Sequence, residues 1–419
     1  MTDIIDLGYR PREPFIAFHK RKQRWACIVA HRRAGKTVAC IIDLIDFALR
    51  HKGGDARFAY IAPTYSQAKD VAWTYCKGYV AQIPGVKISE KELTITLPNG
   101  ARVRLYGSDN YDRLRGIFLD GAVLDEVADM DPRAWPEVIR PALADRKGWA
   151  VFIGTSKGRN AFYDLAETAK ANPEEWFYAL LRADQTGLLP EEELESLKRL
   201  MTPEQYAQEM LCSFDAAVQG AFYGRDIEQA EGENRITSVP HDRAADVYAA
   251  FDLGFGDSTA IWLFQIIGQE WHFIDYYEAS GQALDHFVDW MKSRRFMIHE
   301  VLLPHDGEAH ELQTGKSRQQ FLEERGFRVR IVPRHNPMDG INAVRLRFNR
   351  FWFDKDKCDF GIKALRMYRT EYDARNKVFR DKALHDWTSH CADALRTGVM
   401  GVFETRQTAL PQIDTSWVA

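Results

Sequence analysis

The sequence carries almost no net charge: 56 Lys and Arg against 60 Asp and Glu leave −4 over 419 residues. A protein that coats DNA statically is strongly basic, because its affinity for the phosphate backbone comes from cation density. The balance weighs against that class and leaves transient gripping of DNA open. No apolar run approaches the ~20 residues that a membrane-spanning helix requires. The opening Met1-Thr2-Asp3-Ile4-Ile5-Asp6 has neither the basic stretch nor the apolar core of a secretory signal, so a cytoplasmic protein is expected. Cysteine is sparse, with six residues at positions 27, 40, 76, 212, 358 and 391. No pair has the CxxC spacing of a zinc site and no disulfide framework is suggested, so reduced, mostly buried thiols are expected. Internal repeats and low-complexity tracts are absent.

What is present is an ordinary globular composition, 45% hydrophobic and 28% charged, in a chain of two-domain length. The first half alternates strand and helix patterns. Strands are expected at Trp25–Ala30, Arg57–Ala62, Arg102–Tyr106, Ala122–Asp125 and Ala150–Gly154, with helices at Thr37–Arg50 and Ser66–Gln82. Such alternation implies an α/β domain with a largely parallel sheet. Two short helices are expected within Leu188–Leu211, opening at Pro190 and Pro203, followed by an irregular polar stretch, Asp215–Pro240. The second half starts with three strands, Val247–Leu253, Thr259–Ile267 and Glu270–Glu278, the last two joined by a tight turn around Gly268-Gln269. A helix (Ala283–Arg295), a strand (Val301–His305), a helix (Arg318–Arg325), a strand (Arg328–Val332) and two helices (Ile362–Ala374, Asp386–Phe403) complete the reading. This order is that of a ribonuclease H-like fold.

Ala30-His31-Arg32-Arg33-Ala34-Gly35-Lys36-Thr37 follows a strand and opens a helix, the context of a phosphate-binding loop. Backbone N–H groups and the helix N-terminus would cradle phosphates. Lys36 would reach the β- and γ-phosphates, and Thr37 would hold Mg²⁺. Ala30 stands where the usual pattern has its first glycine. The strand Ala122–Asp125 ends in Asp125-Glu126. Asp125 would organise Mg²⁺, and Glu126 would position or deprotonate the attacking water. Gly154-Thr155-Ser156 after a further strand suits a γ-phosphate sensor, although on its own it reads as a plain turn. Arg32 and Arg33 could neutralise transition-state charge in cis and Arg140 in trans, a surface helix-end role being the alternative for Arg140. Arg12, Phe15, Phe18 and His19 precede the first core strand, and an aromatic there would either cover a base or simply pack.

In the second half, Asp252 ends the first strand, Asp306 follows a later one, and Asp393 lies on the last helix, where Asp386, His390 and Asp393 are spaced for one face. Three carboxylates converging would repel unless divalent cations neutralised them. Oxygen-rich ligation suits Mg²⁺ or Mn²⁺, and two such ions would cleave phosphodiesters. His390 is either a ligand or a neighbour that packs or caps. Asp257 reads as a turn residue, and Glu278 is a weaker fourth acid.

Together Ala30–Thr37, Val123–Glu126, Gly154–Ser156, Asp252, Asp306 and Ser389-His390-Cys391-Ala392-Asp393 resemble the large subunits of tailed-phage terminases. Ala62-Pro63-Thr64-Tyr65 and Leu114-Arg115-Gly116 add to the resemblance, which runs roughly from Pro11 to Val402. It implies a P-loop ATPase domain of the RecA/ASCE type (residues 1–186), a helical linker (187–240), a ribonuclease H-like nuclease domain (241–405) and a tail (406–419). It further implies a ring on the portal protein that pumps double-stranded DNA into a procapsid with ATP and Mg²⁺. A small terminase subunit would choose the DNA, and all of this would take place in the cytoplasm of an infected bacterium. By resemblance Arg140-Pro141 corresponds to a trans-acting arginine segment, and Asp252, Asp306 and Asp393, with His390, to metal ligands. The family's N-terminal adenine-reading glutamine has no clear counterpart; His19 stands near its place. The rival reading is a P-loop translocase or helicase with a non-catalytic rear domain. A second RecA-like core would be its mark, and the strand meander speaks against one.

Overall fold

The computed structural model describes residues 6–408 except 215–217, 219, 255–257, 310–315 and 374–377. The chain divides into two units, Met1–Ala217 and Val218–Ala419. The stretch read as a linker is shared between them, its two helices (Glu191–Leu200 and Pro203–Glu209) belonging to the first unit. Asp257 and the tail from residue 409 onward lie outside the described residues.

The first unit is built on strands β1 (Trp25–Ala30), β2 (Arg57–Ala62), β3 (Lys87–Ser89), β4 (Thr94–Thr96), β5 (Arg102–Gly107), β6 (Gly121–Asp125), β7 (Trp149–Gly154) and β8 (Trp176–Leu181). They form one sheet in the order β3-β4-β5-β2-β6-β7-β1-β8. From β5 to β8 all neighbours pair in parallel, whereas β3-β4-β5 is an antiparallel flank. Every residue of β1 and β6 is buried, as expected of parallel strands covered on both faces. β7 inserts between β1 and β6. The loop after β1 and the acids ending β6 are therefore two strand spacings apart, about 10 Å, and open onto one crevice at the carboxyl ends of the strands. β8 was not among the expected strands, and Tyr65–Val80 contains a π-helical segment, Ala68–Trp73.

The second unit uses β9 (Ile236–Thr237), β10 (Val247–Asp252), β11 (Ser258–Ile267), β12 (Glu270–Ser280), β13 (Ile298–Leu303), β14 (Val329–Ile331), β15 (Phe351–Asp354), β16 (Thr370–Asp373) and β17 (Val378–Ala383). The main sheet runs β14-β13-β10-β11-β12-β15-β9. β10, β11 and β12 form the antiparallel meander, with Gly268-Gln269 as its two-residue turn between Ile267 and Glu270. β13 and β14 are parallel to β10. This is the ribonuclease H-like order, and among the described residues no second RecA-like core is formed.

The helix read over Ile362–Ala374 spans Asp359–Met367, and the chain then turns into a hairpin of β16 and β17. The final helix begins at Ser389 rather than Asp386. Asp386 stops it from starting earlier, because its carboxylate accepts from the backbone N–H (2.9 Å) and hydroxyl (2.5 Å) of Thr388. The stretch expected to be irregular, Asp215–Pro240, contains the helix Gly224–Gly232, which buries Ile227 and Ala230. All six cysteines are free and buried.

Candidate functional site

In the first unit, Gly35 caps the helix Lys36–Arg50 in a left-handed conformation (φ 96°), and Arg33 also has positive φ (69°). These two residues fold the loop back over the helix N-terminus, aiming its free N–H groups at the crevice. Arg12 fastens the loop from outside, donating from Nη1 to the carbonyls of Arg33 (2.9 Å) and Ala34 (3.0 Å). The imidazole of buried His31 lies between the carbonyl of Arg32 and the hydroxyl of Thr186. Burial holds this imidazole below the usual histidine range.

Inside the crevice, Lys36 Nζ stands 3.1 Å from Glu126 Oε1, and the Thr37 hydroxyl donates to Asp125 Oδ2 at 3.2 Å. The Tyr60 hydroxyl donates to the same oxygen. Glu126 has a left-handed backbone (φ 52°), an uncommon state for a residue with a side chain. Its Oε2 is 3.3 Å from both the backbone N–H and the hydroxyl of Thr155, each of which donates to it. Burial and the adjacent Glu126 push the Asp125 carboxyl up to about 6. Burial would raise Glu126 too, but Lys36 and Lys157 outweigh it and hold Glu126 below the ordinary glutamate range. Burial opposes the charge on Lys36, yet the two acids keep its pKa above the ordinary lysine value. The site thus holds an ionised glutamate beside a charged lysine. The crevice encloses about 300 Å³ and is lined by Thr37, Tyr60, Asp125, Glu126, Thr155 and Arg32 among others.

Arg33 does not line this crevice; it lines a separate cavity with Arg12 and Arg32. Arg140 is not brought to its own chain's crevice either. Its guanidinium lies over the Trp25 ring at 5.1 Å, at the amino end of β1, the end opposite the loop. His19 is turned away from both cavities, its ring nitrogens meeting the Tyr9 hydroxyl (3.0 Å) and Asp43 Oδ1 (3.2 Å). Phe15 and Phe18 are buried core residues.

In the second unit, the last helix crosses β10 closely. A Cβ on Gly398 would meet the Ala250 Cβ at 3.0 Å. From that contact the helix rises ~7.5 Å back to Asp393, while β10 advances ~6.6 Å to Asp252, so the two acids reach the same level. His390, one turn further, has Nδ1 3.0 Å from Asp252 Oδ2. Asp393 Oδ1 lies 2.9 Å from Arg396 Nη1 but is buried without a hydrogen bond. Burial pushes the Asp393 carboxyl up to about 6; Asp252 adds to this, while Arg396 and His390 oppose it.

The expected closed trio of acids is not formed. After Leu303 the chain leaves β13 through a short 3-10 turn, His305–Glu308, and Asp306 is exposed on it. Among the described residues no group of three His, Cys, Asp or Glu side chains lies within reach of one metal ion. The donor set of Asp252 and Asp393 nevertheless suits a hard divalent cation, and Asp393 Oδ1, buried and held by the ion pair with Arg396 without a hydrogen bond, is the kind of atom such an ion satisfies. Glu278 shares the sheet face of Asp252 with only Ala260 between them, and accepts from the Tyr276 hydroxyl at 2.5 Å. Asp386 is off the helix and does not join the face expected for it.

Residues 27–229 match the family model described as terminase large subunit, T4likevirus-type, N-terminal. That match covers just under half of this chain. It is 32% identical over 180 residues to the terminase large subunit of Thermus phage G20c, covering 38% of this chain and 36% of that protein. It is 22% identical to that of Escherichia phage T5 over 436 aligned positions, covering 94% of this chain and 91% of that one. The match to the Thermus relative thus spans about a third of that protein's length. A solved large terminase of the thermophilic bacteriophage D6E in complex with ADP aligns over 94% of this chain and 99% of its own, at 17% identity and a TM-score of 0.43.

The sequence reading did not single out Tyr60 or Lys157 of this crevice, and it left Thr155 between a γ-phosphate sensor and a plain turn. Tyr60 was an anonymous member of an apolar strand, although a lone hydroxyl near a strand's carboxyl end is a signal. Thr155, read alone as part of a plain turn, donates to Glu126. Lys157 forms an ion pair with Asp129 at the rim.

Proposed function

We propose that this chain is a terminase large subunit, which hydrolyses ATP in its first unit to move double-stranded DNA into a procapsid and cuts concatemeric DNA in its second. The assignment of the first unit as motor and the second as nuclease is part of the same proposal. The observation that carries it is the meeting of Lys36, Thr37, Asp125 and Glu126 on one crevice beside a helix N-terminus.

The loop N–H groups and Lys36 bind the β- and γ-phosphates, so Lys36 exchanges Glu126 for phosphate when nucleotide enters. Glu126, released and ionised, orients a water and takes its proton as the water oxygen bonds to the γ-phosphorus and the bond to the β-phosphate oxygen breaks. Thr155 holds Glu126 and, through β7, links the γ-phosphate end to the sheet. Arg32, which lines the crevice, neutralises developing charge in cis. Arg33 stays with the outer cavity. Any action of Arg140 is on a neighbouring subunit of a ring. Thr37 and Asp125 would hold the Mg²⁺ that accompanies ATP.

In the second unit Asp252 and Asp393, with His390 beside them, would hold Mg²⁺ or Mn²⁺. Divalent ions there supply an activated water and stabilise the leaving oxygen of the phosphodiester. Asp252 and Asp393 orient the bound ions, and His390 sets the direction of the Asp252 carboxylate. Portal protein, a small terminase subunit and further copies of this chain are the proposed partners, in the cytoplasm of an infected bacterium.

Supercoiled plasmid incubated with Mg²⁺ or Mn²⁺ tests the nuclease. Metal-dependent cutting that Asp252→Asn and Asp393→Asn each reduce by about 100-fold or more is expected. Cutting that survives both substitutions refutes the assignment. Loss of ATP turnover in Lys36→Ala tests the motor in the same preparation.

A further inference from the structure

The phosphate loop separates two cavities. One is the crevice of Thr37, Asp125 and Glu126, on the β6 side; the other lies outside the loop under the helix Glu191–Leu200 and encloses about 570 Å³. Arg32 lines both. A nucleotide whose γ-phosphate faces Glu126 runs along the loop in the opposite direction, toward β8, and its nucleoside end emerges on the side of the second cavity. The volume is within the range of ordinary ligand pockets.

The walls of that cavity are Leu188, Leu189, Leu197, Met201 and Met210, with Arg12, Arg32, Arg33 and Glu193. No amide side chain is among them, so none offers the paired donor and acceptor that reads a base edge. The arginines donate only, and every nucleobase offers an acceptor. Arg12 is moreover committed to the loop carbonyls, and the Arg32 guanidinium pairs with the Glu209 carboxylate at 3.7 Å. Glu193 is the one accepting side chain, and it is exposed at the start of its helix. The hydroxyls of a ribose, common to all nucleotides, suit it. Leucine and methionine contacts reward burial of any flat ring, and methionine adapts its shape to each.

We propose that this cavity takes the nucleoside and holds the base by apolar contact, so that the enzyme hydrolyses nucleoside triphosphates with little regard to the base. The inference rests on the ATPase reading above and sharpens its substrate class. A site that hydrogen-bonds its substrate rejects analogues by about 10⁴-fold, whereas an apolar pocket separates similar ligands far less.

The test is steady-state hydrolysis of ATP, GTP, CTP and inorganic tripolyphosphate by the full chain, with Lys36→Ala as the blank. The values of kcat/KM for the three nucleotides are expected within about 10-fold of one another. Tripolyphosphate is expected to be roughly 100-fold poorer, having nothing to bury. The pair Leu197→Ala and Met201→Ala should raise KM for all three nucleotides alike, by about 10-fold. A preference for ATP above about 100-fold overturns the inference. So does tripolyphosphate turned over as well as ATP, or a truncated pair with unchanged KM. Absence of any Lys36-dependent hydrolysis instead fails the ATPase reading itself, an outcome distinct from base selectivity in an active enzyme.

Discussion

Replacing Asp393 by Asn should make the metal-free protein more stable while abolishing its proposed nuclease. The carboxyl ordinarily titrates at 3.8 but is pushed to about 6 in the fold. The folded chain therefore binds this proton more tightly than the unfolded one. Stability is fully present below about pH 4 and is lost as pH rises through about 6, because ionisation in place is disfavoured. At about 1.4 kcal/mol per pH unit, the gap amounts to about 3 kcal/mol above pH 6. Asn keeps the shape and removes the charge. The attraction of Arg396 opposes the upward shift and is already contained in that figure. A gain of up to about 3 kcal/mol is expected, or roughly 6–12 °C in the unfolding temperature of a unit of this size. Thermal unfolding in chelator at pH 4.5 and pH 7.5, wild type beside Asp393→Asn, measures it. The variant's advantage should be present at pH 7.5 and shrink towards pH 4.5. Added Mn²⁺ should raise the midpoint of the wild type and leave the variant unmoved, since binding to the folded state alone stabilises it. A variant destabilised at pH 7.5, or an advantage equal at both pH values, would refute the reasoning.

Two further expectations follow from single contacts. Thr155→Val removes the hydroxyl that donates to Glu126 at 3.3 Å; turnover should fall about 10-fold with KM little changed, because the contact orients the water-activating group rather than the nucleotide. Equal losses in KM would instead assign Thr155 to nucleotide binding. Arg140→Ala removes the guanidinium stacked over Trp25 and should lower stability by about 1 kcal/mol while dilute, unassembled protein keeps its ATP turnover. A fall of turnover in dilute protein would refute the packing role, and a fall seen only on assembly would assign Arg140 to a neighbour's site.

Chemistry written in contiguous residues was legible without a structure. The loop Ala30–Thr37 between strand and helix, the Asp125-Glu126 pair ending a strand, and the Gly268-Gln269 turn each depend on local backbone preferences that travel with the sequence. The meander followed by alternating helices also identified the second fold, because strand periodicity and turn residues are local signals. Less of the second unit's polar middle was readable: helix Gly224–Gly232 hid in a stretch rich in Glu, Gly and Asn, since its stability comes from burying Ile227 and Ala230 rather than from propensity.

Distance along the chain set the limit. Lys36 meets Glu126 only because β7 slips between β1 and β6 and fixes the width of the crevice. Arg32 rather than Arg33 lines the crevice because the loop doubles back through positive φ at Arg33. Asp393 reaches the level of Asp252 because Gly398 lets the helix lie against Ala250, and Asp306, on the adjoining strand's exit, is carried outward by a turn that its composition did not announce. Residue types alone determined which chemistry was available to this chain. Strand order and the closeness of helix to sheet, set by packing between residues far apart in sequence, decided which of those residues meet.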